Sequence, residues 1–321
     1  MRPIEAVLTA ALAAACWLAA APAGAQQVAD STFDTRVARP AYTTSHPRVL
    51  FDEAHRNFHT TTGRYKPFAT LIANDGYQVT VNPAPFTRAV LAGSVVLVIA
   101  NAAREGWDSD SGVVHPAFMS DECDAVRDWV RDGGALLLIA DHAPFGTSAE
   151  TLAQRFGVGM SKGYTIDSTH ADPVTGSPST LVYSRMNGLL ADHAITRGRD
   201  STERVSTVIA FTGQSLKGPP GSVAFLKLGD GARDLPLRTF ASARSWSLAM
   251  KDTQPAVGRS QGIAFTFGRG RVVVLGEAAM LSAQLIVRPD GPAFRMGMNR
   301  AGIDNRQLAL NIMHWLSGAL R

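Results

Sequence analysis

Residues 49–68 read VLFDEAHRNFHTTTGRYKPF, a stretch in which Asp52, Glu53, His55, Asn57 and His59 crowd behind the apolar run of Val49, Leu50 and Phe51. Carboxylates and imidazoles so placed can hold a metal ion, pass protons or bind a polar ligand. The tetrapeptide Asp52-Glu53-Ala54-His55 also carries the letters of a DEAH-box motor, whose acidic pair holds magnesium beside ATP. Such a motor needs a G-x-x-x-x-G-K-[ST] loop around the phosphates. The dipeptide Gly-Lys occurs nowhere in the chain, and the nearest glycine-rich piece, GVGMSKG at 157–163, has the wrong spacing. Nucleotide-driven chemistry is excluded, so the acidic pair needs another explanation.

Other polar residues follow apolar runs in the same way. Asn101 follows SVVLVIA, Asp141 and His142 follow ALLLIA, and Glu277 follows VVVLG. In an open parallel sheet, ligands bind in the crevice beyond the carboxyl ends of the strands. Convergence of four strand ends there is the functional signal. In an acid/base scheme Glu53 or His142 is the general base, Asp141 orients the imidazole and Glu277 faces it across the crevice. Asn101, or the amides after Thr62, stabilises developing charge, and Arg64 assists at the helix start. Asp52, His55, Asn57 and His59 then bind the substrate. Asp52, His55, His59, Asp141 and His142 also suit a divalent metal, although H-E-x-x-H and C-x-x-C spacings are both absent.

Each assignment has a structural competitor. Strand-end carboxylates often cap helices or hold loops, and Asp141 with His142 can simply tie down the turn at 143–146. Cys123 falls on an apolar helix face as inert core, and Ser215 lacks a G-x-S-x-G elbow. His115, His170 and His193 show no usable pattern.

The elements that must position these groups alternate. Strands are expected at 49–51, 77–81, 94–100 and 135–140, with a helix over 63–75 ending at Gly76 and another capped by Ser120 and ended by Gly133 and Gly134. This alternation predicts an α/β fold with a doubly wound, mostly parallel sheet. Residues 157–260 are rich in Gly, Ser, Thr and Pro and read as an irregular β-rich elaboration of that sheet, with strands at 205–211 and 223–228. A hairpin follows at 263–275, then a last helix from Asp304 with Gln307 completing a capping box.

The chain opens with MRPIEAVLTAALAAACWLAAAPAGAQQ, an Ala/Leu-rich run ending in small residues. It reads as a signal peptide over 1–25, cut after Ala25, which implies a periplasmic or secreted protein. Residues 26–45 then form a polar, irregular N-terminal arm, and 46–321 a single α/β domain. No later stretch reaches the roughly 18 apolar residues of a transmembrane span. The net charge of +4 is spread without a basic run, which argues against nucleic acid as a partner. Beyond the signal peptide a single cysteine remains, so no internal disulfide forms.

The blocks VLFDEAHRNFHTTTGRYKPFA, SVVLVIANA, GGALLLIADHAPF, HAITRGR, VIAFTGQSL and GRVVVLGEAAM, with DNRQLALNIMHWLSG, together resemble an uncharacterised bacterial family of unknown function. That family belongs to the class I glutamine amidotransferase-like superfamily and is related to trehalose-utilisation-type proteins. The resemblance spans nearly all of 46–321 and implies a flavodoxin-like fold. It also implies kinship with modules proposed to bind carbohydrate. True members of the amidotransferase group place a cysteine nucleophile at a strand-to-helix elbow, and the corresponding strand end here, Ala140-Asp141-His142, has no thiol, so glutaminase activity is not implied. The expectation is a hydrolase-like enzyme on a small polar or saccharide-derived ligand. A non-catalytic carbohydrate- or envelope-binding module and a scaffold for protein docking are the alternatives.

Overall fold

The computed structural model describes residues 26–104, 114–236, 251–288 and 291–321. The expected signal peptide, 1–25, lies outside the described residues. The first half of the chain runs β1 (Gln26–Ala29), β2 (Arg48–Asp52), α1 (Lys66–Asn74), β3 (Gln78–Asn82), α2 (Arg88–Leu91), β4 (Val96–Ala100), α3 (Ser120–Arg131), β5 (Ala135–Ile139) and α4 (Phe145–Gln154). Short elements follow: β6 (Gly159–Met160), β7 (Tyr164–Ile166), β8 (Leu181–Ser184), α5 (Ala194–Arg197), β9 (Thr207–Ala210), β10 (Leu216–Lys217), β11 (Val223–Lys227), β12 (Arg233–Leu235) and β13 (Gln254–Pro255). The chain closes with β14 (Ser260–Phe267), β15 (Gly270–Leu275), β16 (Ala283–Arg288), β17 (Gly291–Gly297) and α6 (Asn305–Ser317).

Runs such as VLVIA and ALLLI are apolar at every position because their strands are covered on both faces. Val49, Phe51, Val96, Val98, Leu137, Ile139 and Val273 point to one side and pack with α1 and α6. Leu50, Leu97, Ile99, Leu136, Leu138, Val272 and Val274 point to the other and pack with α3 and α4. The result is a mixed α/β fold around a mostly parallel sheet. Among the described residues that sheet has nine strands, in the order β3-β2-β4-β5-β15-β14-β10-β6 with β11 also on β14. β3, β2, β4, β5 and β15 are mutually parallel. Counted along the chain their order is 2-1-3-4-5, which puts the reversal of chain direction between β2 and β4. β14, β10, β6 and β11 extend the sheet antiparallel. Thus part of the elaboration at 157–260 joins the main sheet, while β7-β12-β13 and β8-β9 form two small sheets beside it.

Several local expectations change. The arm is not wholly irregular, because β1 pairs antiparallel with β16 over four residue pairs. Ser120 is the first helical residue of α3, after Met119 as cap, and the Glu122 carboxylate accepts the Met119 N–H at 2.9 Å. Asp304 precedes α6 but makes no cap bond; its Oδ2 accepts the Ser206 and Thr207 amides at 2.7 and 3.0 Å and so holds the start of β9. The stop after α1 is as expected, since Gly76 sits at φ +99° where a Cβ would lie 1.9 Å from the Tyr42 carbonyl oxygen. Only glycine fits both constraints.

Candidate functional site

The polar strand ends separate into two groups rather than one crevice lining. At the end of β2, Asp52 is fully buried and meets His55 Nδ1 at 2.9 Å, while His55 Nε2 meets Glu122 Oε1 at 2.9 Å. Asn57 and Asn82 add their side-chain amides to Asp52 at 3.1 and 3.3 Å. The imidazole lies between the Phe86 and Phe118 rings, each 4.7 Å away. Burial alone would lower the His55 pKa, but the Asp52 and Glu122 hydrogen bonds and charges outweigh it and raise it. An imidazolium donates from both nitrogens, as two carboxylate partners require. Glu122 is likewise held below the usual carboxylate range, since the Met119 amide, His55 and the Phe86 amide overcome its desolvation.

His55, Asp52 and Asn57 hydrogen-bond one another, and through Glu122 they pin the end of β2 to the start of α3 without closing on an ion. Nor do Asp52, His55, His59, Asp141 and His142 form a metal centre: among the described residues no three His, Cys, Asp or Glu side chains converge as a ligand set. As placed among the described residues, this donor set does not fit a divalent ion. Glu53 is also committed, its Oε1 accepting both the amide and the hydroxyl of Thr61 at 2.7 Å.

The second group lies at the ends of β4, β5 and β15. Asn101 adopts φ +52°, a left-handed conformation asparagine tolerates, and its Oδ1 accepts the Asp141 N–H at 2.9 Å. Asp141 and Glu277 are both buried. Desolvation pushes the Asp141 carboxyl up against the opposing pull of the His142 ring. Desolvation and the nearby Asp141 charge push Glu277 far above its ordinary range, although the Ala279 and Met280 amides each donate to it at 2.7 Å. Burial disfavours ionisation of both carboxyls, and the Asp141 charge adds to the effect on Glu277. Tyr65 Oη donates to the Ala278 carbonyl at 2.6 Å, which places this phenol beside the pair.

Asp141 does not orient the His142 imidazole as the sequence suggests. Its carboxylate accepts the His142 backbone N–H at 2.7 Å, whereas His142 Nδ1 pairs with the Ala143 carbonyl at 2.8 Å. The ring stacks on Tyr164 with centroids 4.4 Å apart and is half-buried. His59 stacks on Tyr65 at 4.6 Å, and burial drives its pKa down to about 3, so it is neutral. Its Nδ1 is buried without a partner. Arg64 covers the Phe58 ring at 4.3 Å.

Cys123 and Ser215 are both buried. Burial pushes the Cys123 thiol up to about 11, and the buried Ser215 hydroxyl donates to Asp234 Oδ2 at 2.6 Å while accepting from Arg259. A pocket of about 260 Å³ opens beside Asp234 and Arg259, whose charged groups lie 3.6 Å apart and are bridged by the Ser215 hydroxyl. Sequence reasoning missed Glu122, Tyr65 and Tyr164. Glu122 carries one local sign, its place three residues after the cap of α3; the two tyrosines carry none.

No family model matches the chain, and no curated protein matches it. Among solved structures, the mmIFT52 N-terminal domain is similar at 16% identity and a TM-score of 0.56, covering 84% of this chain and 97% of that one. A putative ThuA-like protein from Bacteroides uniformis ATCC 8492 aligns at 12% identity and a TM-score of 0.41, over 89% of this chain and 95% of that one. A second, from Parabacteroides merdae ATCC 43184, aligns at 11% identity and a TM-score of 0.42, over 86% and 91%. At these identities the first likeness is one of fold alone. Among the described residues no helix is long and apolar enough to cross a membrane.

Proposed function

We propose that the chain is a hydrolase-like enzyme acting on a small polar, saccharide-derived ligand at the carboxyl ends of β4, β5 and β15. One observation carries this reading: Asp141 and Glu277, from adjacent strands, are both buried and both pushed toward the protonated form. Paired carboxyls whose environments keep one proton between them supply an acid and a base at neutral pH. His142, with Nδ1 fixed, offers Nε2 for the second transfer, and Asn101 holds the Asp141 loop in register. The flavodoxin-like strand order and the sequence blocks together support placement in the class I glutamine amidotransferase-like superfamily. The resemblance puts that group's thiol at the strand end Ala140-Asp141-His142, where no cysteine stands, so the chemistry proposed is proton transfer from an attacking water rather than acyl transfer to cysteine.

A non-catalytic binding module is the second reading. It is favoured by the two backbone amides that occupy Glu277, which leave that carboxyl little freedom to trade protons. Thermal-shift screening of mono- and disaccharides and their acid derivatives, followed by product analysis of each hit, separates the two. Turnover that falls about 100-fold in Asp141→Asn while the thermal shift persists supports the enzyme. A shift with no product in the wild type supports the module, and no shift from any sugar overturns the saccharide assignment. We further propose export, with the mature chain starting at Gln26; N-terminal sequencing of protein from the periplasmic fraction tests it.

A further inference from the structure

The turn after β7 builds a second histidine site that neither the strand ends nor the sequence pattern anticipates. Asp167 has a side chain only 1% exposed, and its Oδ2 meets His170 Nδ1 at 2.7 Å. Its Oδ1 accepts the Thr169 N–H at 2.9 Å, which fixes the carboxylate plane. The backbone is tied on both sides, since Asp167 N–H donates to the Pro178 carbonyl at 2.8 Å and Val182 N–H to the His170 carbonyl at 2.9 Å. Packing is cut to fit the pair: a Cβ on Gly229 would lie 2.5 Å from His170 Cε1, 2.6 Å from Nδ1 and 2.8 Å from Asp167 Oδ2. The imidazole remains 21% exposed. Neither side chain is hydrogen-bonded to Asp141 or Glu277 among the described residues.

We propose that Asp167 and His170 form a general-base dyad, with Asp167 holding the Nδ1–H tautomer and Nε2 taking a proton from water that attacks an ester or similarly activated acyl group. As the water oxygen bonds to the acyl carbon, its proton passes to Nε2. The carbon–oxygen bond to the leaving group then breaks, and the imidazolium returns the proton to the departing oxygen. A buried carboxylate that fixes one nitrogen of a partly exposed imidazole is the arrangement this step requires. Such a base is confined to hydroxylic nucleophiles and compact acyl groups able to reach a surface turn.

The probe is p-nitrophenyl acetate with the full chain. Wild type is expected to hydrolyse it faster than free imidazole at equal concentration, and His170→Gln to lose about 100-fold in kcat/KM. Asp167→Asn keeps an oxygen for the Thr169 amide but not the Nδ1–H tautomer; it should lose a similar factor in kcat, with KM and Tm held. A purely structural pair would move Tm and leave kcat. His115→Gln, an exposed imidazole elsewhere, reports the background reaction. A His170→Gln rate within about two-fold of wild type, or a wild-type rate no greater than imidazole's, overturns the dyad.

Discussion

Asp52, His55 and Glu122 show how burial and partner choice decide what a polar residue does. The pKa of His55 is raised above 6.5, so its contribution is fully present below that value and is lost as pH rises through the folded one. That of Glu122 is lowered below 4.5, so its contribution is present above that value and is lost as pH falls. The stability difference between wild type and His55→Gln should therefore peak between pH about 4.5 and 6.5 and shrink on either side, as urea melts across pH would show. Glu122→Ala strands three donors, His55 Nε2 and the amides of Phe86 and Met119, and should cost about 3 kcal/mol. A loss under about 1 kcal/mol would mean water replaces the carboxylate. Glu277 has the opposite sign. Its raised pKa means the folded chain keeps a proton the unfolded chain releases above 4.5, so stability falls as pH rises. Glu277→Gln removes that slope, and the variant should gain on wild type by up to about 1.4 kcal/mol per pH unit. The sequence made Asp141, Glu277, Asn101 and His142 legible because residues directly after a strand must emerge at one edge. It could not make His55 legible as spent, because Glu122 lies 67 residues away and no local pattern records that partnership.

Elements were readable where one physical signal dominates. Continuous apolar runs identified β4 and β5, and the glycines at 76 and 133, both at positive φ, marked the ends of α1 and α3. The short strands of 159–255 were less readable, since two- and three-residue ladders leave almost no periodicity to detect. Capping residues misled because tertiary contacts competed for their side chains. Ser120 Oγ accepts from Arg155 at 2.8 Å rather than capping α3. Ser120→Ala should therefore cost less than about 0.5 kcal/mol, where a true N-cap would cost about 1 kcal/mol. Asp304→Ala should cost about 2 kcal/mol, because it frees two amides at the start of β9. Denaturant midpoints of the two variants separate these cases; equal losses would restore Ser120 as a cap.

At the scale of the whole molecule, residues 26–45 act as a strap across the fold rather than a tail. β1 completes a three-stranded sheet with β16 and β17, and Asp30 accepts the Asn299 side-chain amide at 2.9 Å. Farther along, Phe33, Val37 and Tyr42 pack against the core on the α1–α6 side of the sheet. The Ala41 N–H reaches Asp75 Oδ1 at 2.8 Å, and the other oxygen of that buried carboxylate meets His314 Nε2 of α6 at 2.6 Å. One carboxylate thus ties the arm, the end of α1 and the last helix together. A cut after Ala25 leaves all of these contacts whole, whereas a chain starting at His46 loses them together. Exposing the apolar face under Phe33, Val37 and Tyr42 should cost about 4 kcal/mol at 1.5–3 kcal/mol per large side chain, discounted for their partial burial. For a chain of this length that corresponds to a fall of about 6 °C in Tm. The Asp75–His314 pair would then be opened to solvent, so Asp75→Asn should cost much less in the truncated chain than in the intact one. Melting curves of the four proteins form a complete cycle. If the truncated chain melts within about 2 °C of the intact one, the arm is an appendage and its contacts are incidental.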